Sequence, residues 1–393
     1  GFGTSAIPRF TTWFDTAENI DELLFVWGDD NIYEWNGAVA VVASITGVTI
    51  TKTGTTTFAQ DRFYTAANKT VVCVRTGTEY VYTGGETTTT LTGIADTTGL
   101  VAGDILIQKI VTNTDKPAAN RINNTIYTYE NQICVGSDSD EEVYISKNTD
   151  YTDFTYATPR VPGNGALLTL DGKVNGFATL NDKLIVFAGS ESIFQAVFVA
   201  LTVGTTKTET VEVKKYEVGV SQSAQSQEVI VPIGNSVLYL SQEPSLRELV
   251  SLEEVSGGKD PVTLSNPIKP DFDAATWTNA AAIWYRNALY LSAPVDGTLF
   301  ILEYKEDADG RVRRFWQPPQ TLPVRALSIY DSTLYGHNNS SPETYELFDV
   351  ALFSDTNGAG EKVPINCVAK FAYKSYGKRA LLKNFDEYFV EGE

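Results

Sequence analysis

Few residues in this chain are of a type and spacing that could do chemistry. There is one histidine, His337, in the run Gly336-His337-Asn338-Asn339. A nucleophile needs a base beside it, and a zinc site needs several clustered nitrogen or sulfur ligands. One histidine with no clustered cysteine supplies neither, so His337 is expected in a turn. The three cysteines, Cys73, Cys134 and Cys367, lie within or beside β-rich runs, the first two at matching places in neighbouring repeats. An odd count at strand positions is expected of small buried hydrophobes rather than a disulfide framework, which suits a reducing cytoplasm. No glycine-rich phosphate loop or dinucleotide fingerprint follows a strand and opens a helix. No catalytic, cofactor-binding or metal-ligating residue is assigned, and no cofactor is expected.

Carboxylates are the more abundant candidates. Two of them across a cleft could do acid and base work on a sugar, and Asp plus Glu number 49. The Ser146…Asp150…Phe154 stretch resembles the sialidase aspartate box, which joins the third and fourth strands of a blade, but it lacks that pattern's Gly and Trp. A sialic-acid carboxylate would also need an arginine triad, for which Arg160, Arg286 and Arg325 are the candidates. The acidic run Asp138-Ser139-Asp140-Glu141-Glu142 has the oxygen ligands that calcium takes but no ordered loop spacing, so a solvated hairpin tip is expected. Arg311, Arg313 and Arg314 beside Phe315 and Trp316 could stack on a base or a glycan. Locking a blade edge over Trp316 and the Pro318-Pro319 pair is the simpler role.

The elements that would position these residues are repeated strands. Asn175–Gln195 reads as strand, Asn181-Asp182 turn, strand, Gly-Ser turn and a further strand. An Asn-Asp pair between two β-rich runs is a hairpin signal, because both residues tolerate the backbone angles of a tight turn. Taking Leu184, the first apolar residue after the turn, as a marker, equivalents fall at Leu23, Val71, Ile133, Val237, Leu289 and Leu334. The gaps are 48, 62, 51, 53, 52 and 45 residues, about 52 on average. Several short strands per unit at about this period indicate a β-propeller, in which each four-stranded sheet must stack on its neighbours. Seven markers predict seven blades, with six as the alternative.

The chain then divides as follows. Residues 1–16 form a lead-in with Trp13 and Phe14. Residues 17–85 hold two blades, the first turning at Gly28-Asp29-Asp30-Asn31. Residues 86–120, rich in Thr and Gly, break the period and predict a small β excursion between the second and third repeats. Such insertions often contact partners, and something must cover Ile105–Ile107 here. Blades resume over 121–381, with a polar Thr/Lys/Glu hairpin across Thr202–Tyr216. Residues 382–393 are expected to close the ring against the first repeat or to lead into a further domain. The chain starts with Gly and has no methionine, as expected of a processed product or a fragment.

The fold class is therefore all-β. Twenty Tyr and nineteen Phe favour strands, and no sustained helical period is present. No apolar run reaches membrane-spanning length, and no basic-then-apolar leader opens the chain, so a soluble protein without a membrane span is expected. The net charge of −19 repels phosphate backbones, which excludes a duplex-gripping role and leaves no specific nucleic-acid binding to expect.

The run from Glu141 to Ala196, containing EEVYISKNTDYTDFTYATPRVPGNGALLTLDGKVNGFATLNDKLIVFAGSESIFQA, resembles a blade of β-propeller proteins from the tails of bacteriophages. QSAQSQEVIVPIGNSVLYLSQEPSLREL resembles the blade that follows, and RFWQPPQ and KNFDEYFVEG fit later parts. The resemblance runs from about Asp21 to the C-terminus. It implies a structural virion protein of the short-tail nozzle, hub or packaged-DNA stabiliser type, assembled in the host cytoplasm. It also implies a homo-oligomeric ring, commonly hexameric, around the DNA exit channel, with adaptor, fibre or spike proteins as partners, a role in DNA ejection and no catalysis. A carbohydrate-binding or glycoside-hydrolysing propeller is the alternative.

Overall fold

The computed structural model describes residues 9–15, 20–26, 32–35, 37–61, 63, 69–108, 111–112, 125–136, 141–157, 159–203, 205–252, 255, 260–306, 312–338, 344–347, 354–356 and 362–364. They form an all-β propeller built of antiparallel sheets. β1 (Arg9–Asp15), β2 (Ile20–Val26) and β3 (Ile32–Trp35) make three strands of the first blade. The chain then leaves that blade for β4 (Val39–Thr46), β5 (Thr49–Lys52), β6 (Thr70–Cys73), β7 (Glu79–Val81), β8 (Thr90–Leu91) and β9 (Ile105–Gln108). It returns with β10 (Val111–Thr112), which pairs with β3 as the fourth strand.

The next four blades run in order. Blade 2 is β11 (Thr125–Tyr129), β12 (Gln132–Gly136), β13 (Glu142–Ile145) and β14 (Ala166–Thr169). Blade 3 is β15 (Val174–Leu180), β16 (Lys183–Ala188), β17 (Ser192–Val203) and β18 (Thr206–Glu217). Blade 4 is β19 (Ile230–Ile233), β20 (Ser236–Leu240), β21 (Leu246–Leu249) and β22 (Val262–Thr263), followed by the short helix α1 (Lys269–Ala274). Blade 5 is β23 (Ala281–Tyr285), β24 (Ala288–Ala293), β25 (Thr298–Glu306) and β26 (Val312–Trp316), with β27 (Gln320–Thr321) also on β25. The sixth sheet, β28 (Val324–Tyr330), β29 (Thr333–Asn338) and β30 (Thr344–Leu347), has three strands among the described residues. A second compact unit, Glu346–Glu393, contains the hairpin β31 (Ser354–Thr356) and β32 (Lys362–Pro364). The expected closing strand at 382–393 and Cys367 lie outside the described residues.

What makes this a propeller is the succession of first strands. β1 lies beside β11, β11 beside β15, β15 beside β19, β19 beside β23 and β23 beside β28. The second strands show the consequence. β12 and β24 are buried at every position, and β16 and β20 at all but their first. A sheet with solvent on one face alternates; one covered on both faces does not. Ile133, Leu184, Val237, Leu289 and Leu334 all sit in second strands at 0% exposure, and half-buried Leu23 holds the same place in β2. The repeat was read in correct register at these six positions.

Val71 is the exception, and it corrects the blade count. It lies in β6 of a six-stranded sheet, order β7-β6-β9-β4-β5-β8, inserted between the third and fourth strands of blade 1. The described residues thus contain six blade sheets, the alternative to seven that the sequence left open. The insertion spans 38–108 rather than 86–120, and it falls inside the first repeat rather than between the second and third. Residues 9–15 of the expected lead-in are the innermost strand of blade 1. The error has a physical cause: KTVVCVRTGTEYVY is a real hairpin, β6 to β7, and an antiparallel hairpin has the same period in any sheet. Its burial differs, since β6 alternates half-buried with buried.

The insertion also has its own interior. A bridge between Gly84 and Thr92 joins the β7 and β8 ends, so the sheet closes on itself around Val42, Ile50, Phe58, Val71, Tyr82 and Leu106. The aromatics between 58 and 82, which lie before the Thr- and Gly-rich stretch, supply much of this core. Cys73 belongs to this core and Cys134 to that of blades 2 and 3, so their expected equivalence is withdrawn.

Turn chemistry follows the sequence closely. Asn181 and Asp182 have φ of 50° and 58°, and the pairs Glu130-Asn131, Arg286-Asn287 and Asp331-Ser332 do likewise. All four join a first strand to a second strand. Left-handed angles at both positions match the right-handed twist of the flanking strands. The long β17–β18 hairpin extends from blade 3 where the Thr/Lys/Glu alternation places it. Leu184→Ala is expected to cost about 2–5 kcal/mol in urea unfolding, the usual range for emptying a packed core position; an unchanged midpoint would show that the second strands are not the buried layer.

Candidate functional site

The first strands of the blades all begin at one end of the propeller, and there they frame a cleft of about 420 Å³. Arg9 opens β1, Gln225 to Glu228 lead into β19, and Trp277 to Ala280 lead into β23. The Arg9 guanidinium grips the Glu228 carboxylate with two hydrogen bonds, Nε to Oε1 and Nη2 to Oε2, the second at 3.0 Å. This paired geometry is the stronger kind of ion contact, and it ties the first blade to the fourth across the axis. Two residues 219 apart in sequence carry no local signal that they will meet.

The cleft offers carboxamides, hydroxyls and one ion pair. Its lining contains no histidine, cysteine or lysine, and its carboxylate, Glu228, is already engaged by Arg9. Trp277 is 5% exposed and donates its indole N–H to the Phe272 carbonyl, so its ring is packed on α1 rather than presented to a sugar. The arrangement can hold a polar group by hydrogen bonds, and it contains no paired acid and base.

The residues singled out in the sequence are dispersed. His337 lies in β29 rather than a turn, with Nε2 at 2.9 Å from Ser328 Oγ and Nδ1 at 3.0 Å from Thr344 Oγ1. The three candidate arginines belong to different places. Arg160 is buried, ion-paired with Glu209 at 2.6 Å and stacked over Phe198, where it fastens the β13–β14 loop to blade 3. Arg286 sits in the blade 5 turn over Tyr285, and Arg325 near the start of β28, at the opposite end of the first strands. They make no triad.

The stretch with the aspartate-box likeness does join the third and fourth strands of blade 2. Ser146 Oγ accepts the Ile133 N–H, and Asp150 Oδ1 accepts from the Thr152 N–H and hydroxyl. Tyr151 packs edge-on against Trp13 of blade 1, with ring centres 5.1 Å apart, and Phe154 is buried nearby. Every polar atom named here holds the loop. Of the acidic run, Asp138 to Asp140 lie outside the described residues, and Glu142 accepts the Tyr144 hydroxyl at 2.6 Å. Arg311 is likewise outside them. Arg314 pairs with Glu248 of blade 4 at 2.5 Å, and Trp316 donates to the Leu264 carbonyl at 2.9 Å, so this cluster fastens two blades together.

No known protein family and no curated protein matches the sequence. Among solved structures, the chain is similar to BamB from Moraxella catarrhalis, at 9% identity and a TM-score of 0.33, over 81% of this chain and 78% of that one. It is similar to virginiamycin B lyase from Staphylococcus aureus at 7% identity and 0.35, over 84% and 94%. It is similar to Hsv2 from Kluyveromyces lactis at 9% and 0.30, over 77% and 96%. None of them lends this chain a ligand, a partner or an activity.

The Lys147–Asp153 pair in the blade 2 loop gives a test in acid. Hydrogen bonds from Lys147 and from the Thr155 backbone hold the Asp153 carboxyl down at about 2. A depressed carboxyl stabilises the fold above its unfolded value near 4 and loses that effect as pH falls toward 2. Asp153→Asn should therefore lower the urea midpoint at pH 7, and the gap from the parent should shrink between pH 4 and pH 2. A gap that stays constant with pH would remove the ionised carboxylate from the account.

Proposed function

We propose that this protein is a structural component of a bacteriophage tail, one copy of a ring around the DNA exit channel, and that the insertion in blade 1 is its principal contact with other tail subunits. The observation that carries this reading is the outer face of the insertion. Cross-strand pairing aligns Val41 with Ile105 and Val39 with Ile107, and Ile107 with Val72. Val74, which hydrogen-bonds to Ile105 through the backbone, extends the row. Val39, Val41, Val74 and Ile105 are 43%, 41%, 55% and 44% exposed. The insertion already has its own buried core, so this aliphatic face is surplus to its folding. Contiguous exposed apolar surface of this kind marks contact sites.

Two further features support the reading. Blade stretches resemble those of tail propellers, and a net charge of −19 suits a wall past which DNA must slide. Each neutralised phosphate would be a contact to break during ejection, and like charge repels over a Debye length of about 8 Å at physiological salt. Location in the virion tail, assembly in the host cytoplasm and adaptor, fibre or spike partners belong to the same proposal.

Two experiments test it. Val41→Ser with Ile105→Ser changes only exposed positions, so the protein should keep its fold by circular dichroism while its incorporation into tails falls at least about tenfold, the effect of losing roughly 1.4 kcal/mol of apolar contact. Undiminished incorporation would move the contact elsewhere. Filter binding to duplex DNA at physiological salt should show no retention. Micromolar affinity with a steep salt slope would point instead to a nucleic-acid protein, and turnover or binding in a glycan screen would point to the carbohydrate class.

A further inference from the structure

Polar side chains at several joints between blades are matched donor to acceptor. Trp13 donates its indole N–H to the Asn131 carbonyl at 2.9 Å, Tyr129 its hydroxyl to the Asp182 carbonyl at 2.8 Å, and Tyr285 its hydroxyl to the Ser332 carbonyl at 2.6 Å, each in the first turn of the following blade. Gln227 clasps the Phe177 backbone between blades 3 and 4. Arg160 and Arg314 meet the carboxylates of Glu209 and Glu248. Arg247 of β21 departs from this pattern.

Arg247 is 7% exposed. Its Nε–H donates to the Ser241 hydroxyl at 3.2 Å, and that hydroxyl lies 3.0 Å from the Ser245 carbonyl, to which it can donate in turn. The Nη hydrogens find no acceptor among the described residues, and no described carboxylate pairs with the guanidinium. Glu248, next in the strand, lies on the opposite face, where it holds Arg314 and accepts from Ser236. Directly across from Arg247 on β20 stands Tyr239, 0% exposed, and its hydroxyl also has no partner. Across from Arg247 on β22 is half-buried Thr263, whose hydroxyl makes no hydrogen bond among the described residues. Residues directly opposite on an antiparallel ladder share a face, with Cβ atoms about 5 Å apart. Tyr239, Arg247 and Thr263 therefore form one row across β20, β21 and β22. The Tyr239 ring centre lies 4.9 Å from that of Phe187, so the row faces blade 3. Burial pushes the Tyr239 phenol up, which keeps it protonated as a donor; exposed Asp260 raises it further and does not pair with Arg247.

The row holds donors and a positive charge, and nothing in it accepts. Buried polar groups are satisfied as a rule, and a buried cation without a partner is among the costliest groups a fold can contain. Water satisfies a donor but leaves the charge unbalanced. We propose that a small monovalent anion of the chloride class sits between blades 3 and 4, held by the Arg247 guanidinium and by the Tyr239 and Thr263 hydroxyls. Tyr239 shares its core with Val237, Leu249, Leu252 and Val255, and in such low-dielectric surroundings opposite charges attract more strongly than in water. The carboxylate of Asp260, close enough to act on Tyr239, disfavours a multiply charged ion such as phosphate. The anion does for Arg247 what Glu209 and Glu248 do for Arg160 and Arg314. The inference does not depend on the tail reading.

The test uses the full chain. Exchanging gluconate for chloride at fixed ionic strength should raise the urea midpoint of the parent, because a ligand that binds only the folded state stabilises it. Arg247→Met should abolish that dependence. Tyr239→Phe should weaken the chloride affinity read from it about tenfold, the worth of one hydrogen bond to a charged group, and it carries the same test should Arg247→Met not fold. Bromide replaces chloride and scatters anomalously, so crystals grown with sodium bromide should show an anomalous peak within hydrogen-bond reach of Arg247, Tyr239 and Thr263. No rise in the parent, or an equal rise in both variants, would overturn the proposal. Water alone or a protein carboxylate in the row would overturn it too. A bromide peak without any chloride dependence in solution would show an adventitious ion only and also count against it.

Discussion

The structure depends on one constraint: a four-stranded blade cannot cover both of its own faces. Its second strand is apolar at nearly every position, as in β12 and β24, so each face must be covered by the adjacent blade. Burial therefore sets the radial order, and the polar contacts fix its register. An apolar face alone would allow neighbouring blades to slide. The aromatic-to-turn hydrogen bonds and the pairs Arg160–Glu209 and Arg314–Glu248 make one seating better than the others. A buried or half-buried ion pair of this kind is a weak source of net stability, and both pairs join neighbouring blades.

Much of this was legible in the sequence because the turns are local. Asn181-Asp182 announces left-handed angles by residue type alone, and six of seven repeat markers land in second strands. The insertion was misread because β6 and β7 form a genuine hairpin whose pattern a blade would share. Only the pairing of β6 with β9, more than thirty residues away in sequence, tells the two apart. Arg9–Glu228 was likewise invisible, since nothing near either residue indicates that the first and fourth blades meet. The aromatic contacts between blades did leave a signal: Tyr129 and Tyr285, which donate to the turn of the following blade, each stand directly before a two-residue turn.

The residues with chemical potential were legible as types and not as places. His337 was expected in a turn because Gly and Asn surround it, yet β28 and β30 claim it as a strand residue bonded to Ser328 and Thr344. Arg160 was a candidate for an arginine triad and is the buried partner of Glu209. In each case the tertiary partner lies in another strand or another blade, and the side chain is spent on cohesion. The axial cleft repeats the theme, since its one charged pair is closed on itself. What the molecule offers outward is an aliphatic face on a separately cored insertion, in a chain of net charge −19.

That surface makes assembly the central proposal, and cryo-electron microscopy of phage particles purified from cells that make this protein tests it most directly. The account predicts a closed ring of identical propellers around the DNA channel, with the insertion of each copy buried against a neighbouring tail subunit. Particles whose tails lack the protein, or copies that sit as isolated propellers with the Val41–Ile105 face open to solvent, would contradict it.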